Sequence, residues 1–446
     1  MKKNFYNEVS VYDDQQLQNS IAGLEDRFNV VENSTLSNLV NFSQNNGLPF
    51  HQWFIYREGF SKALIEHLID DSGCKTDEIV LDPFCGSGTT NLVAALRGLQ
   101  TIGIDVNPMS SVLTQAKITA YSKQDIREAK RLLEKIELDN INTIIDDSLE
   151  RYFDRNNLIS LVKIKSYIDS IEDGNSKQIL FVAYISIIIE CSNRKRDGNG
   201  LKTRPTKVAN VLDYFIKRAN LIIKDIDENP IESNGISMAY QGSALSIGSI
   251  VSKMNEIAKI GTIIFSPPYP NSFDYFESYK LELILGGFVP GIKNISEFRQ
   301  QAVRSFITSK KSEESIDLVE MIANEIEYRI PQKEHKTGKR DSRTRKVPSM
   351  LRGYFNDMKE VLHQCYSVIE PGRKVYIVVD QSAYLGIIVP SDLLLALIGE
   401  QCGFKTENIV ICRKARTSTQ QLLQYPYLKN CLRESIVILK KPESFD

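Results

Sequence analysis

Five short β-like runs, each ending in turn residues and separated by helical patterning, constrain this chain more than any other feature. They cover residues 79–81, 101–104, 237–240, 262–265 and 375–379, with helical patterns such as 91–97 and 353–369 between them. Strands alternating with helices in this way imply a parallel sheet with helices on both faces. Leu64, Ile65, Leu68 and Ile69 recur at helical spacing, which predicts an amphipathic helix over 61–70. Two final strand-like runs, 409–412 and 435–439, are joined by a segment too short for a helical crossover of the usual size. They are expected to pair antiparallel at one edge of the sheet.

Two stretches break the rhythm. Residues 121–234 are rich in helical pattern and contain a basic, glycine-bearing loop, Arg194-Lys-Arg-Asp-Gly-Asn-Gly-Leu-Lys-Thr-Arg204. Residues 286–349 end in a run dense in lysine and arginine over 333–346. Both read as insertions into one α/β core. The first thirty residues are polar and weakly periodic, a loose lead-in.

Composition limits the partners. Hydrophobic residues make up 42% and charged residues 25%, enough apolar material for a sizeable core. Lys+Arg 55 against Asp+Glu 56 leaves a net charge of −1, so any polyanion must be gripped by local patches. No apolar run follows the two early lysines, and the longest nearly apolar run, 179–189, is too short to cross a bilayer. Seven cysteines without a CxxC pair, and four scattered histidines without HExxH, argue against disulfides and against a metal site. A cytoplasmic protein with reduced thiols and no membrane contact is expected.

Chemistry concentrates at strand ends. Asp82-Pro-Phe84-Cys-Gly86-Ser87-Gly88-Thr89-Thr90 follows the first run and opens a helix. Its glycines would let backbone approach a ligand, and the helix N-terminus offers N–H groups to an anion. A tight turn of purely structural purpose would look similar. The second run ends in Gly103-Ile-Asp105-Val-Asn107, where Asp105 is either a ligand acceptor or an N-cap. The fourth ends in Phe265-Ser266-Pro267-Pro268-Tyr269, a rigid turn presenting a hydroxyl, a carbonyl and an aromatic face.

Together these segments resemble the amino-methyltransferases, enzymes that move methyl from S-adenosylmethionine to exocyclic nitrogens of nucleobases. Asp82–Thr90 looks like motif I and Ser266–Tyr269 like the catalytic motif IV. His51-Gln-Trp-Phe-Ile-Tyr56-Arg-Glu-Gly-Phe60-Ser61 resembles motif X, whose aromatic density would equally suit core packing. The segments occur in the order X, I, IV. The resemblance implies that Asp82, Phe84, Gly86, Ser87, Gly88, Thr89, Asp105, Asn107, Tyr56 and Phe60 hold the cofactor. Ser243 stands where the family often has an acid facing adenine, a departure from the pattern. Ser266, Pro267, Pro268 and Tyr269 would act on the target base.

The resemblance implies a Rossmann-like class I methyltransferase: an α/β, doubly wound sheet with an antiparallel edge strand pair, plus helical insertions. It assigns 1–40 to the lead-in and 41–120, 235–285 and 350–446 to the catalytic core. Residues 121–234 become a helical insertion and 286–349 a target-recognition insertion. Ser at the first motif IV position leans toward cytosine N4 in double-stranded DNA, with adenine N6 as the alternative. An RNA guanine-amino methyltransferase and a silent nucleic-acid binder are more distant readings. Carbon-5 chemistry is excluded, since no Pro-Cys nucleophile occurs anywhere. Arg194, Lys195 and Arg196 with Lys339, Arg340, Arg343 and Arg345 are the candidate DNA contacts, although charge runs are commonly solvated loops. A separate restriction endonuclease is a partner this reading allows.

Overall fold

The computed structural model describes residues 4–56, 59–197, 200–232, 235–253, 259–271, 273–307, 316–415, 417 and 419–443. Arg57 and Glu58 of the aromatic segment, Gly198 and Asn199 of the basic loop, and residues 308–315 of the second insertion lie outside them. Among the described residues twelve strands run in chain order: β1 (Val30–Glu32), β2 (Ile79–Asp82), β3 (Gln100–Asp105), β4 (Arg194–Asp197), β5 (Gly200–Thr203), β6 (Ser237–Gln241), β7 (Ile260–Phe265), β8 (Ile369–Asp380), β9 (Ser382–Tyr384), β10 (Ile387–Val389), β11 (Lys405–Lys414) and β12 (Arg433–Lys440). Eight of them form one sheet in the order β1-β11-β12-β8-β7-β2-β3-β6. Only β12 runs against its neighbours.

This is the α/β sheet that the alternation implies, of the Rossmann-like type that the resemblance implies. Strands β2 and β7 are buried at every residue because helices cover both faces, which is why they read as continuous apolar runs. The antiparallel pair, β11 with β12, is present but is not at the edge. Strand β1 lies outside β11 and pairs with it in parallel, Val30 opposite Ile409.

The N-terminal segment is therefore no loose lead-in. The helix Gln15–Arg27 buries Leu17, Ile21 and Leu24 in the same core as β8 and β12. Its polar surface disguised it because Gln18 and Glu25 are buried but paired. The Gln18 carboxamide accepts the Val11 and Tyr12 N–H groups, and Glu25 accepts from Arg433 at 2.8 Å.

Residues between β3 and β6 fold as four long helices, Lys123–Glu134, Arg155–Asp169, Asn175–Ile187 and Val211–Glu228, with the β4–β5 hairpin. Their apolar faces share one core with the helix Pro108–Ile118 and with Phe50, Trp53 and Tyr56. Between β7 and β8, the helix Asp317–Thr337 packs its Val319, Ile322 and Ile326 into the sheet's own core. Among the described residues no helix is long and apolar enough to cross a membrane, and no cluster of three or more His, Cys, Asp or Glu is placed to hold a metal.

Candidate active site

The carboxyl ends of β3, β7 and β8 deliver Asp105, Ser266 and Asp380 to one crevice, and β2 ends beside it in buried Asp82. Chain order reverses direction beside β2, with β3 on one flank and β7 on the other, and open α/β sheets bind ligands at such points. A cavity of about 380 Å³ opens there, within the usual range for small-molecule sites. Tyr56, Phe60, Phe84, Asp105 and Asn107 line one part of it. Ser266, Pro267, Pro268 and Tyr269 line another, with Val303 and Phe306 from the second insertion in the wall.

The glycine loop shapes this cavity more than it touches it. Asp82 is buried, its Oδ1 accepts the Phe84 N–H at 3.0 Å, and burial pushes its carboxyl up to about 7. Phe84 faces the cavity, whereas Asp82, Gly86, Ser87, Gly88 and Thr89 are not among the lining residues. The glycines are needed for a different reason from ligand approach. Gly86 has φ +52° and a Cβ there would meet the Tyr56 ring at 3.0 Å; Gly88 has φ +79° and a Cβ would meet Thr114 at 2.7 Å. Both positions combine left-handed backbone with close packing of neighbouring elements. The Ser87 carbonyl accepts from the Lys117 ammonium at 2.6 Å, and burial lowers that lysine to about 7.

Asp105 ends β3 at the cavity wall. Its Oδ2 accepts the Gly86 N–H at 2.9 Å and its Oδ1 the Asn107 N–H at 2.8 Å, so it fixes the glycine loop against the strand end. Burial raises its carboxyl to about 6. The N-cap of the helix Pro108–Ile118 is Asn107, which accepts from Met109 N–H at 3.0 Å. Asp105 is thus not spent on capping.

The aromatic segment forms a lid wall as well as core. Tyr56 and Phe60 line the cavity, while Phe50 and Trp53 are buried behind them. Asp225, on the helix Val211–Glu228, accepts from the Phe50 N–H at 2.9 Å, the Gln52 carboxamide at 3.0 Å and the Trp53 indole at 2.9 Å. Tyr56 stacks on Tyr279 with ring centroids 5.2 Å apart and an interplanar angle of 4°.

At motif IV the Ser266 hydroxyl donates to the Tyr269 hydroxyl at 3.1 Å, which leaves the serine oxygen's lone pairs as acceptors. Burial drives the Tyr269 phenol well above its ordinary range, so it does not titrate near neutrality. Ser243 does not line the cavity. Its hydroxyl donates to the Gln301 carbonyl at 2.7 Å and accepts the Leu245 N–H, which makes it a local cap.

The two basic candidates differ in what they present. Arg194 bonds Thr203 and the Arg151 carbonyl, and Arg196 is paired with fully buried Glu282 beneath Tyr279, at 4.5 Å from that ring. Arg196 is therefore packing, not surface, and only Lys195 of the three is exposed. Lys339, Arg340 and Arg343 are exposed, whereas Arg345 forms a two-nitrogen pair with Glu334. Their loop leads into the helix Val347–Val368, which precedes β8. Asp380, Arg413 and Glu434 also line the cavity and were not foreseen as a group. The signal was present for Asp380: like Asp82 and Asp105, it is an acid closing an apolar strand.

An acid acceptor at one end and the aromatic faces of Tyr56, Phe60 and Phe84 nearby are of a chemistry that suits a nucleoside bearing a sulfonium. Fold and cavity together define a Rossmann-like methyltransferase. Residues 3–114 match the family model described as DNA methylase. The chain is 28% identical to the Type II methyltransferase M.BsoBI of Geobacillus stearothermophilus, over 91% of this chain and 88% of that one. It is 25% identical to the Type II methyltransferase M.AvaI of Nostoc sp., over 96% of this chain and 94% of its relative. These similarities support the DNA amino-methyltransferase family, whose members use S-adenosylmethionine as methyl donor.

Proposed function

We propose that this enzyme methylates N4 of cytosine at a specific site in duplex DNA, as the modification half of a restriction-modification system. The observation that carries the reading is the meeting of Asp105 and Ser266–Tyr269 in one cavity. The similarity to two Type II methyltransferases along nearly their whole length supports DNA as substrate.

Bound S-adenosylmethionine supplies an activated methyl. The protein's task is to hold the target amino group and improve its lone pair, which conjugation with the ring otherwise withdraws. The Ser266 oxygen, its own proton directed to Tyr269, accepts one amino N–H, and the Pro267 carbonyl accepts the other. Both acceptors pull the nitrogen toward tetrahedral geometry, and the two prolines keep the carbonyl rigid. Tyr269 offers a stacking face to a base rotated out of the duplex. Asp105 orients the cofactor through its ribose. Lys339, Arg340 and Arg343 grip phosphates, with Lys195 as a further contact.

Incubation of duplex DNA with labelled cofactor, followed by nucleoside analysis, tests the reading. N4-methylcytosine supports it; N6-methyladenine alone would transfer the same machinery to adenine. Methylation by a Ser266→Ala, Tyr269→Ala double variant at the wild-type rate would remove motif IV from the mechanism.

A further inference from the structure

Beyond motif IV the cavity continues across three strands. Asp380 closes β8, next to β7; Glu434 lies directly opposite it at the start of β12, and Arg413 lies opposite Glu434 on β11. All three line the cavity that Ser266 and Tyr269 line. The Arg413 Nε donates to Glu434 at 2.6 Å, which fixes the guanidinium and leaves its terminal nitrogens unassigned by that bond. Asp380 Oδ1 is buried with no hydrogen-bond partner among the described residues. A buried polar atom left unsatisfied inside a ligand cavity is costly unless the ligand satisfies it.

We propose that Asp380 and Arg413, the latter held by Glu434, form the seat that reads the ring edge of the extruded base and selects cytosine. Asp380 donates to ring N3, and Arg413 donates to the O2 carbonyl oxygen. This rests on the amino-methyltransferase reading and sharpens its target.

The charge arithmetic explains how an aspartate can donate. Two buried carboxyls share one guanidinium, and Glu434 holds it, so the proton falls to Asp380. Burial, then the neighbouring Glu434 carboxylate, drives the Asp380 carboxyl upward, partly countered by Arg413. In this seat the base lies with its amino group at the end of β7 and its N3 edge toward β8, one strand spacing of about 4.8 Å away. The O2 atom then points toward β12, where Arg413 reaches in from β11. Adenine offers a ring acceptor to Asp380, but it has only a C–H where Arg413 requires an acceptor. The guanidinium thus discriminates between the two amino bases.

The test uses the intact protein and duplexes in which the target cytosine is replaced by 3-deazacytosine, which keeps the amino group and O2 but lacks N3. Wild-type kcat/KM should fall about 10–100-fold, the scale of one buried hydrogen bond left unmade. Asp380→Ala should show that loss on cytosine and no further loss on the analogue. Asp380→Asn, which keeps an N–H donor, should recover part of it. Arg413→Met should lower kcat/KM on cytosine and narrow its preference over adenine in the same sequence, with cofactor affinity by calorimetry unchanged. If the wild type treats cytosine and 3-deazacytosine alike, Asp380 does not read N3 and the proposal fails while the methyltransferase reading stands. If N6-methyladenine is the only product, cytosine selection itself is overturned.

Discussion

At the scale of single residues, Asp105 carries the sharpest expectation. An ionised carboxylate accepts from the ribose hydroxyls more strongly than a protonated one, and burial has moved this one to about 6. Cofactor affinity should be flat above about pH 7 and fall as the pH drops through about 6. Asp105→Asn should weaken binding by about 1–3 kcal/mol at pH 8 and abolish that slope. Calorimetric titration from pH 5 to 8 checks both, and an unaltered slope in the variant would assign the titration elsewhere. At Tyr269 the expectation is a split: Tyr269→Ala should lose a stacking contact of about 1–3 kcal/mol in base binding, with cofactor affinity retained. Asp82, Asp105 and Ser266 were legible because each closes a strand and opens a turn, a position that local sequence reports. Arg196 was not. Sequence registers its charge, but its partner Glu282 and its ring neighbour Tyr279 are brought to it only by the tertiary fold.

Elements join the helical insertion to the cofactor wall at two places. The hairpin β4–β5 places Arg196 over Tyr279, Tyr279 stacks on Tyr56, and Tyr56 presses on Gly86. Behind this stack, Asp225 ties Phe50, Gln52 and Trp53 to the helix Val211–Glu228. Asp225→Ala leaves two buried donors and one half-buried donor without their acceptor and should cost about 2–4 kcal/mol, read by urea unfolding. Asp225→Asn should be milder. Because Tyr56 is the cavity's wall, the same variant should lose cofactor affinity by more than any loss in DNA binding measured by fluorescence anisotropy. Equal losses in both would mean that the clamp serves stability alone. The periodicity of the four helices showed that they exist, but not which wall of the site they would brace. That depends on contacts separated by some 170 positions in sequence, such as Gln52 with Asp225 at 173.

For the whole molecule, the sheet was readable because buried parallel strands are apolar without interruption and their turns are marked. Its outer strand β1 was not, since three residues of intermediate or high exposure give no such signal. The N-terminal segment is tied in by a buried cluster instead: Arg433 donates to Asp392 at 2.7 Å and to Glu25 at 2.8 Å, each group being at most 8% exposed at its side chain. Burial already raises the Glu25 carboxyl despite Arg433. Removing the guanidinium should therefore strand two buried carboxyls. Arg433→Met is expected to lose about 3–5 kcal/mol at pH 8. Its deficit should shrink toward pH 5, because Glu25 then gains a proton in the folded state at pH values where the unfolded chain has released it. Glu25→Gln, which leaves the Asp392 pair intact, should cost less and show a weaker dependence on pH. Chemical unfolding of the three proteins at pH 5, 6.5 and 8 measures this. A deficit in Arg433→Met that stays constant with pH would mean that the loss is one of packing, with the helix Gln15–Arg27 held to the sheet by Leu17, Ile21 and Leu24 rather than by charge.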